Sequence, residues 1–397
     1  MQAIEARAFP LRYALRGFVR ALKTGFAVER LSGTTKRHGL PASIIVAGTR
    51  PGGGYPANQV FARAPKRVLL SSEPLWMLPR TLAELTPSAD LVLARVDALS
   101  ARMLFSSDYL HIPSWVTMRL EVPRDLCSPT AGKRAKSLRA DLARVQQNRI
   151  TCELSHSAAD LEEFYHGFYV PYARQHFGQG ARPVGLPVFL RRFEHGGLFW
   201  ALQDGQRIAG GNFVAGSAML RLEALGTRDG DRCIVEMGAF TALCWAQIKH
   251  AHALGCREVS FNASPGVLTD GTLRYKRKFG ARIVDLGYSA RRLLRWAKLN
   301  PTVVAVLATT PLIFQEQGHP STLRALDVAK RASQDEVAQA YRFLRTPGLY
   351  RIHLLSPAGF ADHVTAPPQT CLLDLRTIGE DNLATLLTSG ALGETFS

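Results

Sequence analysis

CIVEMGAFTALCWAQIKHAHALGCREVSFNASPGVLTDGTLRYKRKFGAR, residues 233–282, is the stretch whose reading decides the fold. Apolar residues recur at helical spacing from Ile234 to Leu254 and stop at Gly255, which predicts one long amphipathic helix. Glu258 to Phe261 reads as a short strand, and Asn262 to Gly271 as a polar, Gly-bearing loop that runs on into a Lys-rich tail. A helix feeding a strand whose far end opens into loops is site-like, because ligands of open α/β sheets bind outside the strand ends.

Working upstream, three strands are predicted at Leu198–Gln203, Arg207–Ala215 and Ala218–Leu225. Asp204-Gly205 is a strong hairpin signal between the first two, and Gly216-Ser217 a second tight turn. The loop Gly226 to Arg232 then leads into the long helix, so the order reads as a mixed α+β sheet. Further upstream, residues 130–149 form a basic helix with Ala135, Leu138, Leu142 and Val145 as its apolar stripe, opening at Thr130. Around that stripe lie Lys133, Arg134, Lys136, Arg139, Arg144 and Arg149, which serve either as a solvated face or as a contact for a phosphate-rich partner. Leu161, Phe164, Phe168 and Tyr172 mark another helix over 158–177.

Four regions are expected: 1–40, a basic amphipathic segment; 41–120, a first α/β domain; 121–290, the central domain; and 291–397, a small C-terminal α/β appendage. Residues 1–40 hold eight Lys or Arg against two Glu. Leu11 to Lys23 fits a helix with Leu11, Ala14, Leu15, Phe18 and Leu22 on one face and Arg12, Arg16, Arg20 and Lys23 on another. Such a helix either packs on its own domain or lies in an anionic membrane surface. The loop PGGGYP, Pro51–Pro56, lacks the Lys-Ser/Thr ending of a nucleotide-binding P-loop. Ser333 and Glu336 form a capping box opening a helix in the last region.

A net charge of +17 suggests a polyanionic partner, although an Arg-rich composition also arises from GC-rich coding. The six cysteines (Cys127, Cys152, Cys233, Cys244, Cys256, Cys371) form no CxxC pair, which argues against zinc and against a disulfide framework and points to a reducing, cytoplasmic compartment. No apolar run reaches the length needed to span a bilayer; Pro301 to Phe314 reads as a buried or interfacial segment. His250 and His252 are two apart and so point to different helix faces, and no GxSxG, HExxH or Walker pattern occurs. Metal and hydrolase chemistry are disfavoured. The loop GTRDGDR (226–232) precedes the long helix. Its exposed N–H groups and the positive helix end favour a phosphate, Arg228 and Arg232 add charge, and Gly226 and Gly230 permit close backbone approach.

This order resembles the acyl-CoA N-acyltransferase (GNAT) fold, and more closely its FemAB-like branch, also called the BioF2-like acetyltransferase domain. KRAKSLRADLARV, LFWALQDGQRIAGGNFV, GAFTALCWAQIKHAHALGCREVSFN and GTLRYKRKFGAR carry the resemblance, which covers residues 120–285. It implies a GNAT-like mixed sheet with flanking helices, in two tandem GNAT-like domains of which 41–120 is degenerate. It implies an acyltransferase using acyl-CoA, or aminoacyl-tRNA as the alternative donor, and an amine acceptor on a cell-envelope or polysaccharide-type precursor. The protein would be cytoplasmic or peripheral on the inner face of the membrane. By resemblance Lys276 stabilises the tetrahedral oxyanion, with Tyr275 beside it. Asp270 and Glu223 are the nearest candidate bases in sequence order, and Asn262, Arg274 and Arg139 are candidate acceptor contacts. GTRDGDR lacks the Q/R-x-x-G-x-G/A signature of ordinary CoA-binding members, and Asn262-Ala263 stands where the family has Asp-Gly. Two other readings are an RNA- or polyanion-binding protein without catalysis, and a membrane-peripheral scaffold with an inactive GNAT-like domain.

Overall fold

The computed structural model describes residues 15–36, 38–49, 60–126, 136–178, 183–285, 290–326, 330–378, 383 and 387. The expected loop Pro51–Pro56, the helix start at Thr130, Lys133, Arg134, Cys127 and the first turn of the N-terminal helix lie outside the described residues. The chain forms two compact units, one of residues 1–116, 264–274 and 283–397, the other of 117–263 and 275–282.

The first unit begins with a helix over residues 15–22. Phe18 and Ala21 pack inward, while Leu15, Val19 and Leu22 are exposed. Then come β1 (Phe26–Thr34), β2 (Pro41–Gly48) and β3 (Lys66–Glu73). Strand β1 was not expected, because residues 1–40 read as basic throughout, yet Phe26 and Val28 alternate into one core and, after a bulge between Val28 and Glu29, Leu31 packs into the other. Helix α1 (Leu78–Leu85), β4 (Leu91–Val96), α2 (Ala98–Leu104) and β5 (Leu110–Pro113) follow. Asp97 starts α2 by accepting from the backbone N–H groups of Leu99 and Ser100.

Lying mostly in the second unit are the strands β6 (Trp115–Glu121), β7 (Thr151–Ser155), β8 (Gly196–Gln203), β9 (Gln206–Ala215), β10 (Met219–Thr227), β11 (Glu258–Pro265) and β12 (Arg282–Asp285), in sheet order β12-β6-β11-β10-β9-β8-β7. The helices are α3 (Lys136–Gln147), α4 (Ala158–Phe164), a π-helical turn Tyr165–Tyr169, α5 (Val170–Phe177), α6 (Leu186–Phe193), α7 (Arg232–Glu236), α8 (Ala239–Ala253) and α9 (Gly271–Lys278). The expected hairpin is present: Asp204 and Gly205 both take positive φ, as a primed two-residue turn requires. An aromatic cluster of Phe164, Phe168, Phe189 and Trp200 packs the α4–α6 layer against the sheet.

Three expectations are corrected here. The long helix is broken at Gly238, which sits at φ 103°, so α7 and α8 are separate. Helix α8 is buried around most of its circumference rather than amphipathic, with Phe240, Leu243, Cys244, Gln247 and Ile248 all inside. The stretch read as a Lys-bearing loop is helix α9, because Asp270 Oδ1 accepts from the Leu273 N–H at 3.0 Å and starts it.

The chain then completes the first unit with β13 (Arg291–Arg295), α10 (Pro301–Thr309), β14 (Leu312–Glu316), β15 (His319–Ala325), α11 (Gln334–Leu344), β16 (Ile352–Ser356), β17 (Thr370–Asp374) and α12 (Leu375–Ile378). These elements fall in the same compact unit as residues 1–116. Strand β13 inserts between β4 and β5 to give the sheet β3-β1-β2-β4-β13-β5, and β14–β17 form a second sheet. One core joins them, with Leu31, Ile44, Leu294, Val303, Leu307, Phe314 and Leu355 in contact across the layers. This cohesion is hydrophobic burial, at about 25 cal/mol per Å² of apolar surface. The Ser333–Glu336 capping box opens α11 as expected.

Candidate active site at the splay of β10 and β11

Strands β8, β9 and β10 form an antiparallel meander, α8 crosses over, and β11 returns parallel to β10. The parallel ladder is short. It pairs Met219 with Glu258, Leu220 with Val259 and Arg221 with Ser260, and goes no further. A bulge in β10 between Leu222 and Ala224 turns the strand at this point, and Asn212 Oδ1 fills the gap by accepting from the Ala224 N–H at 3.0 Å. On the β11 side Asn262 adopts φ 56°, and its side-chain amide donates to the Leu222 carbonyl. The two parallel strands thus part company beyond Arg221 and Ser260, and Asn262 is the tie that spans the opening.

Lys276 and Glu223 flank that opening. Lys276 on α9 is 8% exposed, and its Nζ donates to the Ala263 carbonyl at 2.7 Å and to that of Asn262 at 3.4 Å. Its ammonium is held against the end of β11 by backbone dipoles. Glu223, the bulged residue, has a 9% exposed side chain that pairs with Arg192 at 3.1 Å and with Arg221. Arg192 and Arg221 were not singled out in the sequence; their signal is the inward Glu223 on a mostly apolar strand, since a carboxylate drawn out of water needs a cation.

The remaining expected residues fall elsewhere. Tyr275 points its hydroxyl at α8, 3.4 Å from Thr241 Oγ1 and 3.8 Å from Cys244 Sγ. Burial pushes that phenol well above its ordinary pKa and pushes the Cys244 thiol up to about 12, so Tyr275 packs the helix interface. Lys278 pairs with Asp141 of α3 at 2.8 Å. Asp270 is a helix cap rather than a free carboxylate, and Arg274 and Arg139 are exposed on α9 and α3.

At GTRDGDR the glycines meet the protein itself. A Cβ on Gly226 would lie 2.6 Å from the backbone of Phe168, and one on Gly230 would lie 2.5 Å from Gln175 Oε1. The close approach these residues permit is that of the π-helical turn and α5 onto the end of β10. Arg228 turns back, its Nε donating to the Arg207 carbonyl at 2.8 Å and its guanidinium lying 5.6 Å from the centre of the Phe168 ring. Asp231 already occupies the start of the five-residue helix α7, accepting from the Cys233 N–H at 2.8 Å. Arg232 is exposed. Among the described residues no cluster of three metal-ligating side chains occurs, and no helix is long and apolar enough to cross a membrane.

No protein-family model matches this chain, and no curated protein matches it. Solved structures do. L-PGS from Bacillus licheniformis is 11% identical, with TM-score 0.34, over 70% of this chain and 88% of that one. FemX is 12% identical, with TM-score 0.35, over 68% and 84%. A tandem GNAT protein from the clavulanic acid biosynthesis pathway is 13% identical, with TM-score 0.29, over 65% and 79%.

Proposed function

We propose that this protein is an N-acyltransferase that moves an acyl or aminoacyl group onto an amine of an envelope- or polysaccharide-type precursor. The observation that carries the reading is the early end of the β10–β11 ladder at Arg221 and Ser260. A slot between two parallel strands can take an extended acyl donor as an additional pairing partner, with strand carbonyls and N–H groups as its contacts. Lys276 supplies a fixed cation at one wall of that slot, where an oxyanion develops as the amine attacks the acyl carbon. Glu223, held by Arg192 and Arg221 at the other wall, orients the attacking amine. Arg232, exposed at the end of GTRDGDR, attracts the donor's phosphates by charge.

The donor is acyl-CoA or aminoacyl-tRNA, and native mass spectrometry separates the two. The full chain is incubated with an acyl-CoA panel and with charged tRNA, with a transferable amine added in a second step. Retention of one donor followed by loss of its acyl group to the amine supports the reading. Retention of charged and uncharged RNA alike, fading steeply with salt and without transfer, would replace it with polyanion binding.

The N-terminal helix favours a peripheral position on an anionic membrane. Leu15, Val19 and Leu22 are exposed along one stripe, 54%, 45% and 42% respectively, beside exposed Arg16, Arg20 and Lys23. That composition suits a helix lying in a lipid headgroup layer.

A further inference from the structure

The sheet β14–β17 carries a set of ionisable groups that acyl transfer does not use. Glu316 on β14 and His353 on β16 are both fully buried, with His353 Nε2 2.8 Å from Glu316 Oε2. Arg351 donates to the other carboxylate oxygen at 3.1 Å. Strand β17 sets Cys371 directly opposite His353 in parallel register. Side chains at matched positions of neighbouring strands share a face, so the thiol and the imidazole lie side by side. Among the described residues Nδ1 of His353 has no hydrogen-bond partner although the residue is 0% exposed, and Cys371 is the residue that β17 sets beside the ring. Cys371 itself is half-buried.

Burial opposes charge on both members of the pair, but their partners outweigh it. Cys371 and Glu316 bring His353 above its ordinary pKa, and His353, Ser321 and Arg351 bring Glu316 below its own. An imidazolium beside a thiol is the setting in which thiols become nucleophilic.

We infer that Cys371, His353 and Glu316 form a reactive-thiol site at which small hydroperoxides oxidise Cys371. The sulfur attacks the terminal peroxide oxygen; an S–O bond forms and the O–O bond breaks. Sulfur is oxidised by two electrons to the sulfenic acid and the peroxide is reduced to an alcohol or water; the departing oxygen takes a proton from His353, which recovers one from the Cys371 thiol. Glu316 positions the imidazole and holds it protonated.

Cys233 is the built-in comparison. It is more exposed than Cys371, but the neighbouring carboxylate of Asp231 pushes its thiol up. The full chain is treated with limiting hydrogen peroxide in the presence of dimedone, and adducts are located by peptide mass spectrometry. Cys371 is labelled about tenfold or more faster than Cys233 despite its lower exposure. Glu316→Gln brings Cys371 down to the rate of Cys233 and leaves Cys233 unchanged. Labelling of Cys371 no faster than Cys233, or a folded Glu316→Gln protein labelled at the unsubstituted rate, overturns the inference. The first comparison involves no substitution, so it decides even where Glu316→Gln fails to fold.

Discussion

Lys276 Nζ donates a 2.7 Å hydrogen bond to the carbonyl of Ala263, so the motif lysine is fastened to the strand end that forms one wall of the splay. Lys276→Met keeps the stem and removes the cation. Loss of the charge-assisted bond costs about 1–3 kcal/mol of stability in urea unfolding. Turnover falls by about a hundredfold or more if the cation also stabilises the oxyanion. A stability loss with full turnover in the surviving folded protein restricts Lys276 to holding the strand.

Arg228 and Arg232 separate two roles within GTRDGDR. Arg228→Ala loses its bond to the Arg207 carbonyl and its contact with Phe168, lowering stability by about 1 kcal/mol. Arg232→Ala, at an exposed position, leaves stability unchanged and weakens a phosphate-bearing donor by about tenfold. Isothermal titration with the donor and thermal melts on both variants check this. Equal donor affinity in Arg232→Ala moves the phosphate site elsewhere.

Gly226→Ala places a methyl group 2.6 Å from the Phe168 backbone. Overpacking of that kind destabilises by about 1–3 kcal/mol. The expected result is a lower melting temperature with donor affinity per folded molecule preserved, since the glycine accommodates the π-helical turn and not a ligand.

The proposed membrane attachment would rest on Leu15, Val19 and Leu22. Liposomes containing anionic lipid should pellet the protein at low salt and release it as salt rises. Replacing Leu15, Val19 and Leu22 together with Asn removes about half or more of the pelleted fraction. Equal pelleting of the triple variant would mean that the helix does not anchor the chain.

His353 makes stability depend on pH in a definite direction. Its folded pKa is raised above the unfolded value near 6.5, so the stabilisation is complete below about pH 6.5 and declines as pH rises through the folded value. Urea midpoints measured from pH 6 to 9 should fall with pH, and His353→Gln should flatten that part of the curve. A slope unchanged by the substitution assigns the dependence to another group.

Much of the fold was legible because its signals are local. The Asp204-Gly205 turn, the Ser333–Glu336 capping box and the apolar runs of β8, β9 and β11 act within a few residues, so turn chemistry, capping and periodicity determined them from the sequence alone. Helix α9 was legible too, in Asp270 as its cap, but the density of Lys and Arg masked it. Lys276 could be singled out by its motif; that its ammonium is buried against Ala263 could not.

The tertiary structure alone decided the rest, because each case depends on partners distant in sequence. Asn262 meets Leu222 only once β11 has returned beside β10, and Glu223 gains Arg192 only once α6 has packed. Gly226 and Gly230 read equally well as ligand-facing or chain-facing until α5 and the π-helical turn fill the space above them. Strand β13 inserts between β4 and β5 nearly two hundred positions along the chain from them, a pairing that no local pattern encodes. Composition and periodicity select elements, whereas long-range burial and hydrogen-bond pairing select which of them meet, and the residues at a site are defined by the meeting.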